Sequence, residues 1–174
     1  IQYATNGLNY PSYAGSGQGG SITSVNGSGS RQDLTWSFPA QSGGVIYTAQ
    51  LLNFAAAPNN ADFFLSLGSG TSGTPSYFNR IYAKANGGQL SLGIGRNSAT
   101  AVYGDTGLDY GTTYLVVHKY EFGTGTSSLY ILNGNISAIE PPTPSAISSA
   151  SGDPSAITRV VVRQNTTSPL TATI

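Results

Sequence analysis

The lone histidine, His118, and seven carboxylates are the residues here that could move protons. His118 sits in Tyr114-Leu115-Val116-Val117-His118-Lys119-Tyr120-Glu121-Phe122, where Val116, His118 and Tyr120 share one face of an extended run. A catalytic triad would need a serine or cysteine nucleophile and an orienting carboxylate beside it, and no nucleophile-elbow pattern occurs. His118 therefore reads as structural. Glycoside hydrolysis needs two carboxylates facing each other ~5 to 9 Å apart, which strand neighbours at i and i+2 would supply. Asp33, Asp62, Asp105, Asp109, Glu121, Glu140 and Asp153 never take that spacing. The expectation is that the chain is not an enzyme.

Binding chemistry has more candidates. Asp105 and Asp109, in the glycine-rich loop Gly104 to Asp109, could offer oxygens to calcium, as could Asn59-Asn60-Ala61-Asp62. The same residues also make ordinary Asx-turns that satisfy loop backbone. No other cofactor is indicated. Tyr10, Tyr13, Tyr77, Tyr103 and Tyr110 fall near expected loops, where aromatic rings could stack on a sugar; tyrosine also serves routinely in strands and at rims. Asn135-Ile136-Ser137 is a glycosylation sequon, with relatives at Asn26 and Asn165.

The scaffold that must position these residues is legible. Arg31 to Phe38 alternates Leu34, Trp36 and Phe38 with polar neighbours, the period of a half-buried strand with Trp36 turned inward. Gly44 to Phe54 is apolar on both faces, as in a central strand covered on both sides. Phe63 to Leu67 and Tyr77 to Lys84 follow, and Asn86-Gly87-Gly88 marks a hairpin into Gln89 to Gly95. Ala99 to Tyr103, Thr112 to Phe122, Ser127 to Asn133 and Ile157 to Gln164 complete the set. Gly15 to Ser30 reads as a loop over the sheet with a short strand at Ser21 to Val25. Helix signals are almost absent, and Ser145 to Ala150 should hold at most one helical turn. About ten strands with turns every eight to twelve residues make an all-β fold of two antiparallel sheets.

Composition bounds the function. The 174 residues fit one domain, with residues 1–30 loop-rich and 165–174 as a tail. Charged residues are 8%, against roughly 25% in ordinary soluble proteins. Seven basic and seven acidic residues give zero net charge, so nucleic acid and anionic membrane surfaces find no basic footprint. No stretch approaches the ~20 apolar residues of a membrane span. Cysteine is absent, which excludes disulfides and thiolate metal sites. The start at Ile1, with no methionine, reads as a processed polypeptide. A neutral, hydroxyl-rich surface also resists self-association little.

Several phrases resemble a family of bacterial extracellular domains, found in large secreted surface proteins of Bacteroidetes-type bacteria, with a concanavalin A-like or laminin-G-like jelly roll. They are Gly7-Leu8-Asn9-Tyr10-Pro11-Ser12-Tyr13, Ala61-Asp62-Phe63-Phe64-Leu65-Ser66-Leu67-Gly68, Thr113 to Tyr120, and Asp153-Pro154-Ser155-Ala156-Ile157 with Val160 to Gln164. The resemblance implies secretion and a jelly-roll sandwich, and it carries no catalytic residues. Such domains have one strand before the first phrase and one after the last, so this chain is expected to leave a sheet edge short of its neighbours. The reading that follows is a non-enzymatic structural subunit that assembles with copies of itself into a filament, sheath or surface layer. Tyr3 and the alternating Leu170, Ala172 and Ile174 are the residues expected to cross between subunits. The alternative is a carbohydrate-binding or adhesion module, and a hydrolase on the same scaffold comes third.

Overall fold

The computed structural model describes residues 2–18, 21–25, 33–70, 76–97, 100–104, 107–134, 136, 138–164 and 170–174. The sequons at Asn26, Asn135 and Asn165 and the acid Asp105 lie outside the described residues. Thirteen strands, numbered in chain order, form two sheets, and none of the described residues is helical. The seven-stranded sheet runs β1 (Gln2–Ala4), β2 (Ser21–Val25), β13 (Thr171–Thr173), β4 (Val45–Ala56), β9 (Thr113–Glu121), β10 (Thr126–Leu132) and β11 (Ala146–Ser149). The six-stranded sheet runs β3 (Leu34–Gln41), β12 (Ile157–Val162), β5 (Asp62–Ser69), β6 (Ser76–Asn86), β7 (Gln89–Gly95) and β8 (Val102–Tyr103). Every pairing is antiparallel.

Alternation builds the interior. Leu52 and Phe54 from β4, Tyr114 and Val116 from β9, and Leu129 from β10 meet Leu65, Ile81, Leu90, Leu92 and Ile94 from the other sheet. Each such side chain contributes about 1.5–3 kcal/mol by leaving water. In β5 the pairing with β6 slips between Phe63 and Leu65, so Phe63 goes to the outer face while Phe64 and Leu65 are both buried. Phe64 then stands edge-on to Phe54, ring centroids 5.4 Å apart. The expected hairpin forms with Asn86 opposite Gln89. Gly87 and Gly88 both have positive φ (57° and 90°), which a two-residue turn matched to strand twist requires.

In several places the structure adds to these expectations or departs from them. Ala146–Ser149 is strand β11 paired to β10, because Ala146 and Ser148 alternate inward and the backbone completes the sheet. The tail does not leave its own sheet: β13 lies between β2 and β4, with Leu170 and Ala172 buried, since apolar side chains at that spacing fill the space beside Phe54. Finally, Trp36 is 78% exposed and Leu34 40%. Their register is the expected one, since Val160 pairs with both Leu67 and Trp36, and Val162 with both Leu65 and Leu34. Directly paired residues share a face, so Trp36 continues a row that starts in the core. It stays wet because β3 is the last strand of its sheet. Similarly, β4 is covered on both sides only from Leu51 onward; Val45 and Tyr47 are exposed.

Polar groups are riveted into this interior. Arg96, fully buried, donates to the carbonyls of Thr126 and Glu121 and to Asp153, and its guanidinium lies 4.1 Å from the Tyr120 ring centroid. Asp153 also accepts from Tyr120 Oη at 2.8 Å and from the Gly123 amide at 2.8 Å. Asn79, at φ 50° in a slip of β6, donates from Nδ2 to His118 Nδ1 at 2.8 Å. His118 is wholly buried, and burial pushes its pKa down to about 3.

Two outcomes follow. Asp153→Ala leaves the Arg96 charge without its counterion and should cost roughly 2–4 kcal/mol of unfolding free energy, read by urea denaturation. The His118 effect has a defined sign. Its folded pKa lies below the ordinary 6.5, so the unfolded chain binds the extra proton and stability falls as pH drops from 6.5 toward 3. The slope is at most about 1.4 kcal/mol per pH unit. His118→Gln should flatten it between pH 6.5 and 5.5; an unchanged slope would contradict a buried neutral imidazole.

Candidate functional site

The outer face of the seven-stranded sheet carries apolar rows that a solvent-facing sheet would not need. Register sets three rows across β4, β9 and β10: Leu51–Leu115–Leu132, Ala49–Val117–Tyr130 and Tyr47–Lys119–Ser128. The first row is covered by the N-terminal loop. Tyr10 is buried with Leu51 and Leu115, its backbone amide held by Ser16 Oγ at 2.7 Å and its hydroxyl accepting from the Gly134 amide at 2.7 Å. The chain after β10 passes along the other side through Ile136 and Ala138 to Pro141.

Between loop and strap lies a groove of about 340 Å³, at the lower end of the roughly 300–1,000 Å³ typical of ligand pockets. Ala49 and Val117 form its floor, and Tyr13, Tyr47, Tyr130 and Ile139 stand around it. Its polar end is one cluster. Glu140 accepts from the hydroxyls of Tyr47 and Tyr130 and from Lys119 Nζ at 3.3 Å, and Lys119 also lies 3.4 Å from Glu121. Hydrogen bonds from Tyr130 and Tyr47, with Lys119 adding to them, hold the Glu140 carboxyl below the usual range. Burial first, and Glu140 second, push Tyr130 up to about 12. Burial alone would lower Lys119, but the hydrogen bond and charge of Glu140, with Tyr47 and Glu121, raise it. At neutral pH the cluster therefore holds a fixed carboxylate, a fixed ammonium and two neutral phenols.

The five tyrosines singled out from sequence do not form one site. Tyr13 lines this groove, but Tyr10 is 3% exposed and offers no stacking face, because its ring is the cover of the Leu51–Leu115 row. Tyr77 and Tyr103 belong to the other sheet. Tyr77 donates to Asp33 at 2.9 Å beside Phe63, and Tyr103 lies over Gly93 with Lys84 Nζ 4.0 Å from its ring centroid. Burial pushes Tyr103 up to about 12. Tyr110 packs against the main core. Tyr3 is 72% exposed on β1, remote in sequence from the buried tail residues it was grouped with. Asp109 accepts from Gln89 Nε2 at 3.4 Å, while its amide donates to Tyr114 Oη at 2.8 Å. Among the described residues no three of His, Cys, Asp and Glu converge as metal ligands would.

Tyr47, Lys119, Tyr130 and Glu140 were not anticipated. The available signal was the apolar outward row of β9 and β10, which needs a cover; nothing local ties Glu140 to strands β4 and β9.

No protein-family model matches the chain, and comparison with curated proteins finds no match. Among solved structures, a native heptameric SAP-like pentraxin from Limulus polyphemus is similar. It is 16% identical, with a TM-score of 0.56, over 88% of this chain and 72% of that one. At that identity the likeness bears on architecture alone. The architecture is an all-β jelly-roll sandwich of two antiparallel sheets.

Proposed function

We propose that this chain is a non-enzymatic recognition module of an extracellular surface, and that it holds a neutral saccharide in the Tyr47–Glu140 groove. The observation that carries this reading is the juxtaposition of Tyr13 and Tyr47 with a paired carboxylate and ammonium, the buried Tyr130 serving to hold Glu140. Sugars present apolar C–H faces and hydroxyl edges at once. Phenol rings and the Ala49–Val117 floor suit the former. Glu140 oxygens with remaining lone pairs, and the Lys119 ammonium, suit the latter. Lys119 is shared between Glu140 and Glu121, which leaves one carboxylate in excess, so an anionic ligand is opposed and a neutral one is not.

Hydrolysis is disfavoured by the same cluster. Glu121 and Glu140 both lean on Lys119, yet a general acid needs a raised pKa and Glu140 has a lowered one. Secretion accords with the jelly-roll scaffold and the hydroxyl-rich surface. Among the described residues no helix is long and apolar enough to cross a membrane.

A second reading, a structural subunit that assembles with copies of itself, is favoured by one observation: the exposed aromatic edge at Trp36. Zero net charge removes the repulsion that would oppose it.

A glycan array probed with the intact chain tests the first reading. Neutral oligosaccharides should be retained, and Tyr47→Ala should weaken retention at least tenfold, about 1.4 kcal/mol. Tyr47 is half exposed, so the variant keeps the fold. If no glycan is retained, or Tyr47→Ala retains it equally, the groove is not a saccharide site.

A further inference from the structure

We infer that β3 is a homotypic docking strand: two copies pair β3 against β3, antiparallel, about a twofold axis centred on Trp36. The inference rests on the self-association reading and gives it a location.

Among the described strands nothing pairs with the outer edge of β3, so its backbone groups there are a template for another strand. Natural edges are usually guarded by charge, proline, bulges or brevity. β3 has eight residues and no charged side chain. Its proline, Pro39, and its slip against β12 both lie beyond Ser37, which leaves Leu34 to Ser37 regular and unguarded.

The side chains of this stretch are also left incomplete. Trp36 and Leu34 continue the core-facing row of Leu67–Val160 and Leu65–Val162 but remain exposed. They bound an open cavity of about 260 Å³ against Val160 and Val162. A strand added to β3 would continue that row and close the cavity's open side.

The pattern of the strand selects a second copy as the occupant. Read in either direction from Trp36, the sequence is aromatic centre, hydroxyl, apolar: Ser37 then Phe38 one way, Thr35 then Leu34 the other. In an antiparallel pair centred there, Trp36 meets Trp36 of the second copy, hydroxyl meets hydroxyl, and Leu34 meets the second copy's Phe38. Such like-with-like cross-strand pairs are the favourable ones, and an isologous twofold contact demands this self-complementarity. Charge complementarity agrees, since neither strand carries charge and the chain's net charge is zero. A charged foreign strand would find nothing to pair with.

Trp36 is the chain's sole tryptophan, so fluorescence reports directly on the contact. Sedimentation equilibrium of the intact chain, up to roughly 1 mM as the weak limit of specific association, should show a dimer. Trp36 emission should shift to the blue as it forms. Trp36→Arg and Trp36→Glu, tolerated at an exposed position, should each weaken dimerisation at least tenfold by placing like charges across the axis. Their equimolar mixture should regain it, because Arg then faces Glu. A dimer that ignores Trp36→Arg overturns the β3 contact while leaving self-association standing. A wild-type monomer throughout overturns both. Loss in each variant without recovery in the mixture overturns the axis at Trp36.

Discussion

Arg96 places a permanent charge inside the sandwich, and one end of both sheets is organised around it. The guanidinium reaches from the end of β7 to the carbonyls of Glu121 on β9 and Thr126 on β10, lies over Tyr120 and ends on Asp153. Its backbone is held as well, the amide by Ser148 of β11 and the carbonyl by Asn79 of β6. A buried cation is costly, and the two Nη groups offset that cost by finding acceptors while Nε finds none among the described residues. Five strands and the Asp153 segment must therefore keep their relative positions for that cost to be met. Hydrophobic rows hold the sheets together; Arg96 determines how one sheet is placed on the other.

The same economy governs the rest of the charge. Arg163 lies 2.9 Å from Asp62 and 4.3 Å from the Phe63 centroid, and Lys119 sits between Glu121 and Glu140. Charge here fastens the N- and C-terminal parts of strands and the strap, leaving the exterior to Ser, Thr, Asn and aromatic rings. Two exposed surfaces depart from that blandness, the phenol-lined groove on the seven-stranded sheet and the Trp36 edge on the six-stranded one. Both arise where a strand has apolar outward or end-row positions that its neighbours cover only in part.

Period-two alternation made the strands legible, because it reports which face a residue takes. The Asn86-Gly87-Gly88 turn was legible for a different reason, its two positive φ angles being a demand only glycine meets cheaply. What alternation does not report is a strand's place in its sheet. Trp36 has the right face but stands on an edge, so facing the core and being buried came apart. Ser145 to Ala150 was expected to hold at most one helical turn; it holds none, and its strand against β10 was not read from the sequence. The opening strand was invisible because three residues carry almost no period, and the alternation of Leu170, Ala172 and Ile174 was read without revealing that the tail pairs within its own sheet. The groove was least legible of all, since its cluster joins Tyr47, Lys119, Tyr130 and Glu140 across 93 positions of chain. Tyrosine near a loop proved a poor guide, as Tyr10 became a lid over its own sheet.

The scarcity of basic side chains has a consequence for survival among proteases. Enzymes that cut after arginine or lysine need several flanking residues to adopt an extended, detached shape in their cleft. Among the described residues, every arginine and lysine (Arg80, Lys84, Arg96, Lys119, Arg159, Arg163) lies within a strand or one position past its end, with its backbone already engaged. Digestion at these six positions must wait for the sandwich to open, so cutting there is governed by the opening equilibrium and not by the count of cleavable bonds.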